Sequence, residues 1–355
     1  MQFIKPGINI DFIGRRKLAF ALSVALILAT FVSLLWRGGP NYGVDFAGGI
    51  VIQVKLEKKH KPSDIREALK PINLQDSIIQ EFGGQGASEY LIRVRKTGVK
   101  VTGLNEKVRD ALTSYFKQGV EIRRVEMVGP KVGKDLRQKA LFAIFYAILF
   151  IAIYISGRFE HRWLMSIVMA LSLIIVVYVA SSFGAGVTWL IVIALLVTLG
   201  LCWFLKLKWA LGAIVALIHD VTITVGAFSF ANKEISLPII AALLTIVGYS
   251  LNDTIIVFDR IRENMNRFRR RKFEEVMNSS INETLSRTIL TSGTTLLVVM
   301  CLFVMGGAVI HDFAFALLVG IFVGTYSSIF VASPILLVWE GRFSDKVKVK
   351  KRARR

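Results

Sequence analysis

Cysteine and histidine are scarce in this sequence, and their scarcity excludes several kinds of site. The 355 residues include two cysteines, Cys202 and Cys301, and four histidines. Both cysteines lie within apolar runs, where they form neither a disulfide framework nor a metal site of recognisable spacing. We therefore expect no metal and no cofactor, and we expect both cysteines to be small buried side chains.

Acidic residues are also few beside the basic ones. The sequence has 25 Asp and Glu against 45 Lys and Arg, a formal net charge of +20. In a soluble protein such an excess would indicate a nucleic-acid partner. Here 54% of the residues are apolar and the mean hydropathy is +0.56, which excludes an ordinary soluble globular protein. Outside one soluble region the basic residues cluster between apolar runs, so we expect membrane orientation, and no nucleic acid, to explain them.

Long apolar runs predict a multi-pass α-helical membrane protein. A run of about 18 or more apolar residues has the length of a membrane-spanning helix. The sequence has eight such runs, which predict eight spans at about 18–36, 138–156, 163–182, 187–205, 209–231, 237–258, 288–307 and 313–339.

The basic residues predict the orientation of these spans, because short cytoplasmic loops carry an excess of Lys and Arg. With the N-terminus inside, the strongly basic segments all fall on the cytoplasmic side: 1–17, 157–162, 206–208, 259–287 and the tail from Gly341. The short loops on the other side hold a single basic residue, Lys233. We therefore expect both termini to be cytoplasmic. This orientation is sufficient to explain the basic tail, and contact of the same residues with anionic lipid or a ribosome is the alternative.

Residues 37–137 are long enough to fold outside the membrane, and we expect them to form a periplasmic domain. Strand and helix patterns alternate along this segment: strands at 50–56, 77–82, 90–95 and 120–128, and helices at 65–70 and 104–116. The order β-α-β-β-α-β predicts a small α+β ferredoxin-like sheet. The glycine-rich stretch at 83–86 lies between two strands rather than before a helix, so a turn is favoured over a phosphate-binding loop. We expect a binding or lever element rather than a catalytic domain.

Three ionisable residues lie within the predicted spans: Asp220 in the fifth, Asp253 in the sixth and Arg287 at the start of the seventh. A charge at the centre of a span costs about 2.5–3.5 kcal/mol, so such residues are candidates for a functional site. Sequence neighbours and helical spacing place a set of supporting polar side chains beside them: Asn252, Thr291, Thr294, Thr295 and His219.

Asp253 and Arg287 together predict a proton carrier. If Arg287 lies near Asp253 it favours the ionised carboxylate, and separation of the two favours the protonated form. The hydroxyl row beneath Arg287 would hold ordered water for a proton route. The alternative is a buried ion pair that only fixes the helix register. For Asp220 both interpretations stay open, because His219 alone could be its partner.

Five sequence segments resemble those of the SecF family: GVDFAGG at 43–49, VGPKVGKDLRQKA at 128–140, ALGAIVALIHDV at 210–221, GYSLNDTIIVFDRIREN at 248–264 and NETLSRTILTSGTT at 282–295. SecF-like proteins are distant relatives of the resistance–nodulation–division exporters. The resemblance implies that the chain is not an enzyme but works with SecD, using the proton-motive force to promote preprotein translocation by the Sec translocon. It also implies proton-transfer roles for Asp253 and Arg287, and extends them to Asp220.

Further partners follow from the same resemblance. They are the SecYEG channel, SecA, YidC-type proteins and the unfolded preprotein itself. SecF-like chains usually have six spans, whereas here an additional two-helix hairpin at 164–208 precedes Trp209. The hairpin has no ionisable residue within its apolar runs, so we expect it to face lipid or to dock a partner.

These patterns divide the chain into six expected parts. They are the N-terminus with the first span at 1–36, the periplasmic domain at 37–137, the second span and its loop at 138–163, the hairpin at 164–208, four spans with a basic cytoplasmic loop (259–287) at 209–340, and a basic tail at 341–355.

Two other functions fit parts of the sequence. The first alternative is a half-unit of a proton-driven small-molecule or lipid exporter, although such exporters generally carry two halves and two large outer domains in one chain. The second is an intramembrane aspartyl protease, which needs two carboxylates that share a proton. Neither Asp220 nor Asp253 lies in a GxGD sequence, which counts against that chemistry.

Overall fold

The computed structural model describes residues 8–82, 88–94, 103–160, 163–182 and 187–340. Within these ranges the chain forms a small α+β domain attached to a bundle of long helices. The predicted glycine-rich turn at 83–86 and the predicted basic tail at 341–355 lie outside the described residues.

The α+β domain lies between helix α1 (Arg16–Trp36) and helix α5 (Pro130–Glu160). Its elements are helices α2 (Val44–Ala47), α3 (Pro62–Ala68) and α4 (Leu104–Phe116), and strands β1 (Gly49–Leu56), β2 (Ile78–Phe82), β3 (Glu89–Val94) and β4 (Val120–Val128). The strands form one antiparallel sheet in the order β2-β3-β1-β4. The predicted ferredoxin-like arrangement is therefore confirmed.

Regular spacing of apolar residues builds the core of this domain. Ile52 and Val54 of β1 are fully buried, as are Val108 and Leu112 of α4. Alternate strand residues point to one side of a sheet, and residues four apart share a helix face, so one row from each element enters the core. Arg93 lies on β3 between the buried Ile92 and Val94 and therefore on the opposite side of the sheet.

The remaining long helices are α6 (Trp163–Ser182), α7 (Val187–Phe204), α8 (Lys208–Phe230), α9 (Leu237–Arg267), α10 (Phe273–Met305) and α11 (Ala308–Ser327). Helix α11 continues through a π-helical turn at Ser328–Ala332 into a helix that ends at residue 340. Six of the described helices are long and apolar enough to cross a membrane: α1, α5, α8, α9, α10 and the continuous α11 helix. Helices α6 and α7 are apolar over shorter stretches, Ile167–Ala180 and Trp189–Phe204. The multi-pass helical class is confirmed, while the count of eight spans stays a prediction.

The segment predicted as a basic loop, 259–287, is not an open loop. Helix α9 continues to Arg267 and α10 begins at Phe273, so only residues 268–272 connect them. Asn264 joins the two extensions, because its side-chain amide donates to Ser280 Oγ and Glu283 Oε2, each at 3.0 Å. Hydropathy identifies only the lipid-embedded part of a helix, which is why the polar extensions were not predicted.

Helix α8 lies at the centre of the bundle. In the most apolar stretch of α8, 67% of the residues are buried, compared with 17% in the corresponding stretches of α1 and α10. The outer surface of α10 exposes apolar side chains, among them Leu297, Val298 and Val304, as expected for a helix that faces lipid. Cys301 is exposed and Cys202 is buried, so the prediction of two buried cysteines is wrong for Cys301.

Candidate functional site

Asp253 lies in the middle of α9, about 24 Å from the start of the helix at a rise of ~1.5 Å per residue. It is only 1% exposed. Ser292 Oγ of α10 donates to Asp253 Oδ2 at 3.0 Å. Thr325 Oγ1 of α11 lies 2.8 Å from Ser292 Oγ and 3.5 Å from the same carboxylate oxygen. Hydroxyl groups from two neighbouring helices therefore hold this carboxylate.

Arg287 does not form the ion pair with Asp253 that the sequence suggested. The arginine is exposed, and within the described part of the chain neither residue has an ion-pair partner. The reason is helical geometry: five residues separate Arg287 from Ser292, which is a rotation of about 140° around the axis of α10 at ~3.6 residues per turn. Ser292 faces α9, and Arg287 therefore lies on a different side of α10.

Asp220 is the second buried carboxylate, and it lies on the central helix α8 with 0% exposure. Its Oδ1 is 2.8 Å from His219 Nδ1. Its Oδ2 accepts hydrogen bonds from Ser250 Oγ of α9 at 2.5 Å and from Ser327 Oγ of α11 at 2.8 Å. The expected partnership with His219 is confirmed, and two hydroxyl donors are added to it.

His219 extends this group towards α1. Its Nε2 lies 3.1 Å from Ser23 Oγ, and Ser23 Oγ lies 3.2 Å from the hydroxyl of Tyr326. Tyr326 in turn donates to the carbonyl oxygen of Ala19 at 2.7 Å. The polar row Tyr326–Ser23–His219–Asp220 therefore crosses the bundle from α11 to α1 and back to α8. His219, Ser23 and Asp220 are each at most 3% exposed, whereas Tyr326 is partly buried.

Helix α11 contributes to both carboxylates. Thr325 belongs to the Asp253 group and Ser327 to the Asp220 group, and Ser250 lies one turn from Asp253 on α9. Gly324 makes this approach possible, since a Cβ there would lie 2.9 Å from the Cβ of Ser250. The π-helical turn begins directly after Ser327, and such turns are frequent at functional sites.

The other predicted polar residues are placed differently. Asn252 and Thr294 are exposed, and Thr294 donates to a carbonyl oxygen of its own helix. Thr291 also bonds within α10, while Thr295 Oγ1 accepts from the hydroxyl of Tyr249 at 3.2 Å. Thr295 and the carbonyl oxygen of Thr291 thus contact Tyr249 of α9. Asn252, expected to support Asp253, lies on the exposed face of α9, and Ser250 shares the buried face with Asp253.

Sequence reasoning missed several hydroxyl residues that contact the carboxylates or His219: Ser23, Ser250, Thr325 and Ser327. One signal was available, since Ser250 precedes Asp253 by three residues and therefore shares its helix face. Ser23, Thr325 and Ser327 gave no such signal, because their partners lie on other helices.

The hydroxyl partners determine what this arrangement can do chemically. An arginine only donates hydrogen bonds, so it holds a carboxylate in its ionised form. A serine or threonine hydroxyl both donates and accepts, so the same contact serves a carboxylate and a carboxylic acid. Asp253 and Asp220 are therefore held in contacts that persist when a proton is gained or lost.

Thr325→Val tests whether the hydroxyl row supports Asp253. We expect it to destabilise the folded protein by about 1–2 kcal/mol, because Ser292 and Asp253 lose the contact with the Thr325 hydroxyl while the side-chain volume is kept. The midpoint of thermal unfolding in detergent measures this. Thr245→Val is the matched control, since Thr245 is exposed and donates to Ala241 O of its own helix. Equal midpoints for the two variants would contradict the expectation.

Sequence similarity connects the chain to proteins of the Sec export system. The family model for protein export membrane protein SecD/SecF, C-terminal, matches residues 107–203 and 201–342, and the SecD/SecF GG motif matches residues 34–59. A protein translocase subunit SecF from Magnetococcus marinus is 44% identical, with 98% of this chain and 97% of that protein covered. The chain belongs to the SecF family. The SecF of Vibrio alginolyticus is 41% identical over 95% of this chain and 91% of its own length.

Solved structures of SecDF also resemble this SecF-family chain. The crystal structure of SecDF from Thermus thermophilus matches with a TM-score of 0.69 and 30% identity over 94% of this chain. A SecDF structure in a super-membrane-facing form gives a TM-score of 0.60 and 29% identity over 99% of the chain. The chain spans 39% and 41% of those two proteins, so it corresponds to one part of each. Asp220 and Asp253 lie in the segment matched by the family model, and the resemblance to SecF is confirmed.

Proposed function

We propose that this chain is the SecF subunit of a Sec protein-export machinery, which works with SecD and uses the proton-motive force to promote preprotein translocation. The observation that carries the proposal is the buried carboxylate of Asp253, whose partners are the hydroxyls of Ser292 and Thr325. Its curated relatives are named translocase subunits, which supports a transport role rather than an enzymatic one.

Proton transfer at Asp253 would reverse the direction of a hydrogen bond that joins α9 to its neighbours α10 and α11. As a carboxylate, Asp253 accepts a hydrogen bond from Ser292. As a carboxylic acid it would donate one, and the hydroxyls of Ser292 and Thr325 would have to reorient. Each charge that crosses the full membrane potential yields about 2.3 kcal/mol per 100 mV, which is enough to bias two packed arrangements of the helices.

Asp220 is the proposed second proton-binding group. Its carboxylate contacts His219, which connects it to Ser23 on α1. A neutral imidazole carries a donor on one nitrogen and an acceptor on the other, so it can pass a proton between two partners. The row of α1, α8, α9 and α11 side chains would then form the proton route together with Asp253.

Arg287 has a different proposed role. Its guanidinium keeps its charge throughout, and it lies exposed at the beginning of the predicted seventh span. A charge in that position is unfavourable against lipid. We therefore propose that Arg287 faces SecD in the assembled complex and that it approaches Asp253 in a second arrangement of the helices.

The proposed location is the bacterial inner membrane, with both termini cytoplasmic and the α+β domain periplasmic. The distribution of basic residues between the predicted loops supports this orientation. SecYEG, SecA, YidC-type proteins and the unfolded preprotein are proposed as further partners beyond SecD.

Arg287→Ala tests the proposed function. In membrane vesicles containing the chain co-assembled with SecD, we expect the proton-gradient-dependent part of translocation to fall at least about tenfold, or roughly 1.4 kcal/mol of barrier. Arg287→Lys keeps the charge and should retain a larger part of the activity. ATP-driven translocation without a gradient should be unchanged in both variants.

Arg267→Ala is the matched control for this experiment. It also removes one exposed arginine, but Arg267 lies in the last turn of α9, where it stacks on Phe268 at 5.1 Å. We expect this variant to behave like the wild type. Gradient-dependent translocation that survives Arg287→Ala, in a complex that assembles normally, would remove Arg287 from the proposed function.

A further inference from the structure

The α+β domain contacts the short connection between α8 and α9. Arg93 of β3 forms an ion pair with Glu234, and their side chains are 18% and 7% exposed. Beside the pair, Ile235 N donates to Asn41 O at 2.7 Å and Gly43 N donates to Ile235 O at 2.9 Å. A side-chain pair and a short backbone bridge therefore fix the connection to the domain.

The first turn of α9 is capped by the α+β domain. Its own N-cap residue, Ser236, makes no side-chain capping hydrogen bond. Instead, Asp45 Oδ2 accepts a hydrogen bond from Leu237 N at 2.9 Å. A carboxylate at this position satisfies a free backbone N–H and interacts favourably with the positive end of the helix dipole. Asp45 thus connects α2 directly to the helix that carries Asp253.

Two glycines hold Asp45 at a fixed position relative to the sheet. Gly48 and Gly49 have φ values of +74° and +137°, which residues with a side chain rarely adopt. Strand β1 begins at Gly49, and a Cβ on Gly48 would lie 3.0 Å from Pro130 Cα at the start of α5. Helix α2, strand β1 and the start of α5 are therefore packed closely together.

We propose that Asp45 and the Arg93–Glu234 pair are positioning residues, which transmit movement between the α+β domain and α9 so that a change at Asp253 displaces the domain. This inference rests on the proton-driven function proposed above. The route between the two sites is a single element, since α9 is continuous from Leu237 to Asp253 and beyond. A rigid helix is one of the physical elements through which coupling passes between distant sites.

The ion pair suits a contact with two discrete states. Glu234 is buried, so partial separation from Arg93 weakens a charge pair that water does not readily replace. The favourable states of such an ion pair are one in which Arg93 and Glu234 are in contact and one in which water solvates both charges. Coupled sites depend on elements of this kind, because packed interfaces switch between arrangements rather than deform continuously.

Charge reversal tests the inference in the complete chain, co-assembled with SecD in vesicles. We expect Arg93→Glu and Glu234→Arg each to lower gradient-dependent translocation about fivefold or more, a typical size for coupling between sites. The double variant Arg93→Glu with Glu234→Arg restores the pair and should return translocation to near the wild-type level. ATP-driven translocation should stay constant, whereas a purely structural defect would lower it as well.

The exposed pair of Lys59 and Glu81 provides the matched control. It joins two charged residues of the same domain at 2.7 Å, with side chains 51% and 46% exposed. Reversal of both charges there should leave both kinds of translocation unchanged. A loss of gradient-dependent translocation in this control as large as that at Arg93 and Glu234 would overturn the inference.

Hydrogen exchange measures the coupling independently of transport. In the purified complex, Asp253→Asn should change amide exchange at residues 41–45 and 89–94 about fivefold or more. In a background that also carries Asp45→Ala and Glu234→Ala, the same change at Asp253 should leave the exchange of residues 89–94 unaltered. If Asp253→Asn still changes the exchange of residues 89–94 in that background, as it does without the two alanines, the coupling is overturned.

The two proposals fail in distinguishable ways. If Asp253→Asn removes gradient-dependent translocation while the charge reversals keep it, the coupling is wrong and the proposed function stands. If Asp253→Asn itself keeps gradient-dependent translocation, the proposed proton-carrying role of Asp253 fails, and the inference fails with it. If the double reversal leaves both kinds of translocation impaired, the pair is structural and the inference is again overturned.

Discussion

Asp253→Asn is expected to reduce the gradient-dependent part of preprotein translocation at least about a hundredfold, the size of effect seen when a positioned proton-transfer group is removed. Asparagine keeps the shape of the side chain and still accepts a hydrogen bond from Ser292, but its amide takes up no proton. The measurement is translocation into membrane vesicles with ATP alone and with ATP plus a proton gradient. ATP-driven translocation and assembly with SecD should be unchanged.

Asp259→Asn is the matched control, because it makes the same chemical change on the same helix. Asp259 pairs with Arg158 at 2.7 Å, and its side chain is 45% exposed, so it lacks the buried hydroxyl environment of Asp253. We expect translocation at the wild-type level. Gradient-dependent translocation by Asp253→Asn at the control level would show that Asp253 is architectural, and the proton route would then lie at Asp220 or in SecD.

Asp220→Ala is expected to prevent stable folding or assembly, because it removes the carboxylate that contacts the buried His219 Nδ1 and Ser250 Oγ and one of the two acceptors of Ser327 Oγ. Each unsatisfied buried group costs about 1–3 kcal/mol, so the expected loss is roughly 3 kcal/mol or more. Asp220→Asn retains one acceptor oxygen and should assemble with SecD. It should nevertheless lose most gradient-dependent translocation, because it cannot bind a proton at that position.

Two measurements separate these effects. Thermal unfolding in detergent reports the stability of Asp220→Ala, with Ser333→Ala as the control, since that change removes one buried hydrogen bond to Ser328 O. Vesicle translocation reports the effect of Asp220→Asn. Normal gradient-dependent transport by Asp220→Asn, together with an unstable Asp220→Ala, would limit Asp220 to holding α8, α9 and α11 together.

The fold was largely predictable because its signals are local. The strands of the α+β domain follow from apolar runs of period two, and α4 from apolar residues four apart, which pack the same core in the structure. The polar extensions of α9 and α10 were not predictable from hydropathy. They are stabilised by contacts across the hairpin, such as Asn264 with Ser280, that join residues far apart in sequence.

In the candidate site, too, the features with local signals were predictable and the contacts between helices were not. Asp220 and Asp253 were identifiable from the cost of a carboxylate in an apolar helix, which needs no knowledge of the neighbours. Their partners were not, because Ser292, Thr325 and Ser327 lie on helices whose rotation depends on packing. Arg287 and Asp253 form no direct ion pair within the described residues for that reason: proximity of two helices does not say which residues face each other.

Composition, periodicity and the cost of burying charge act within short segments, so the class of protein, the ferredoxin-like topology and the two carboxylates within the spans were predictable. The tertiary structure alone decided that hydroxyls rather than an arginine hold those carboxylates. It also decided that Asp45 and Arg93 of the α+β domain hold the beginning of α9. The physical reason is that hydrogen bonds and ion pairs form only within a few ångströms, and the packing of the helices and the sheet sets those distances.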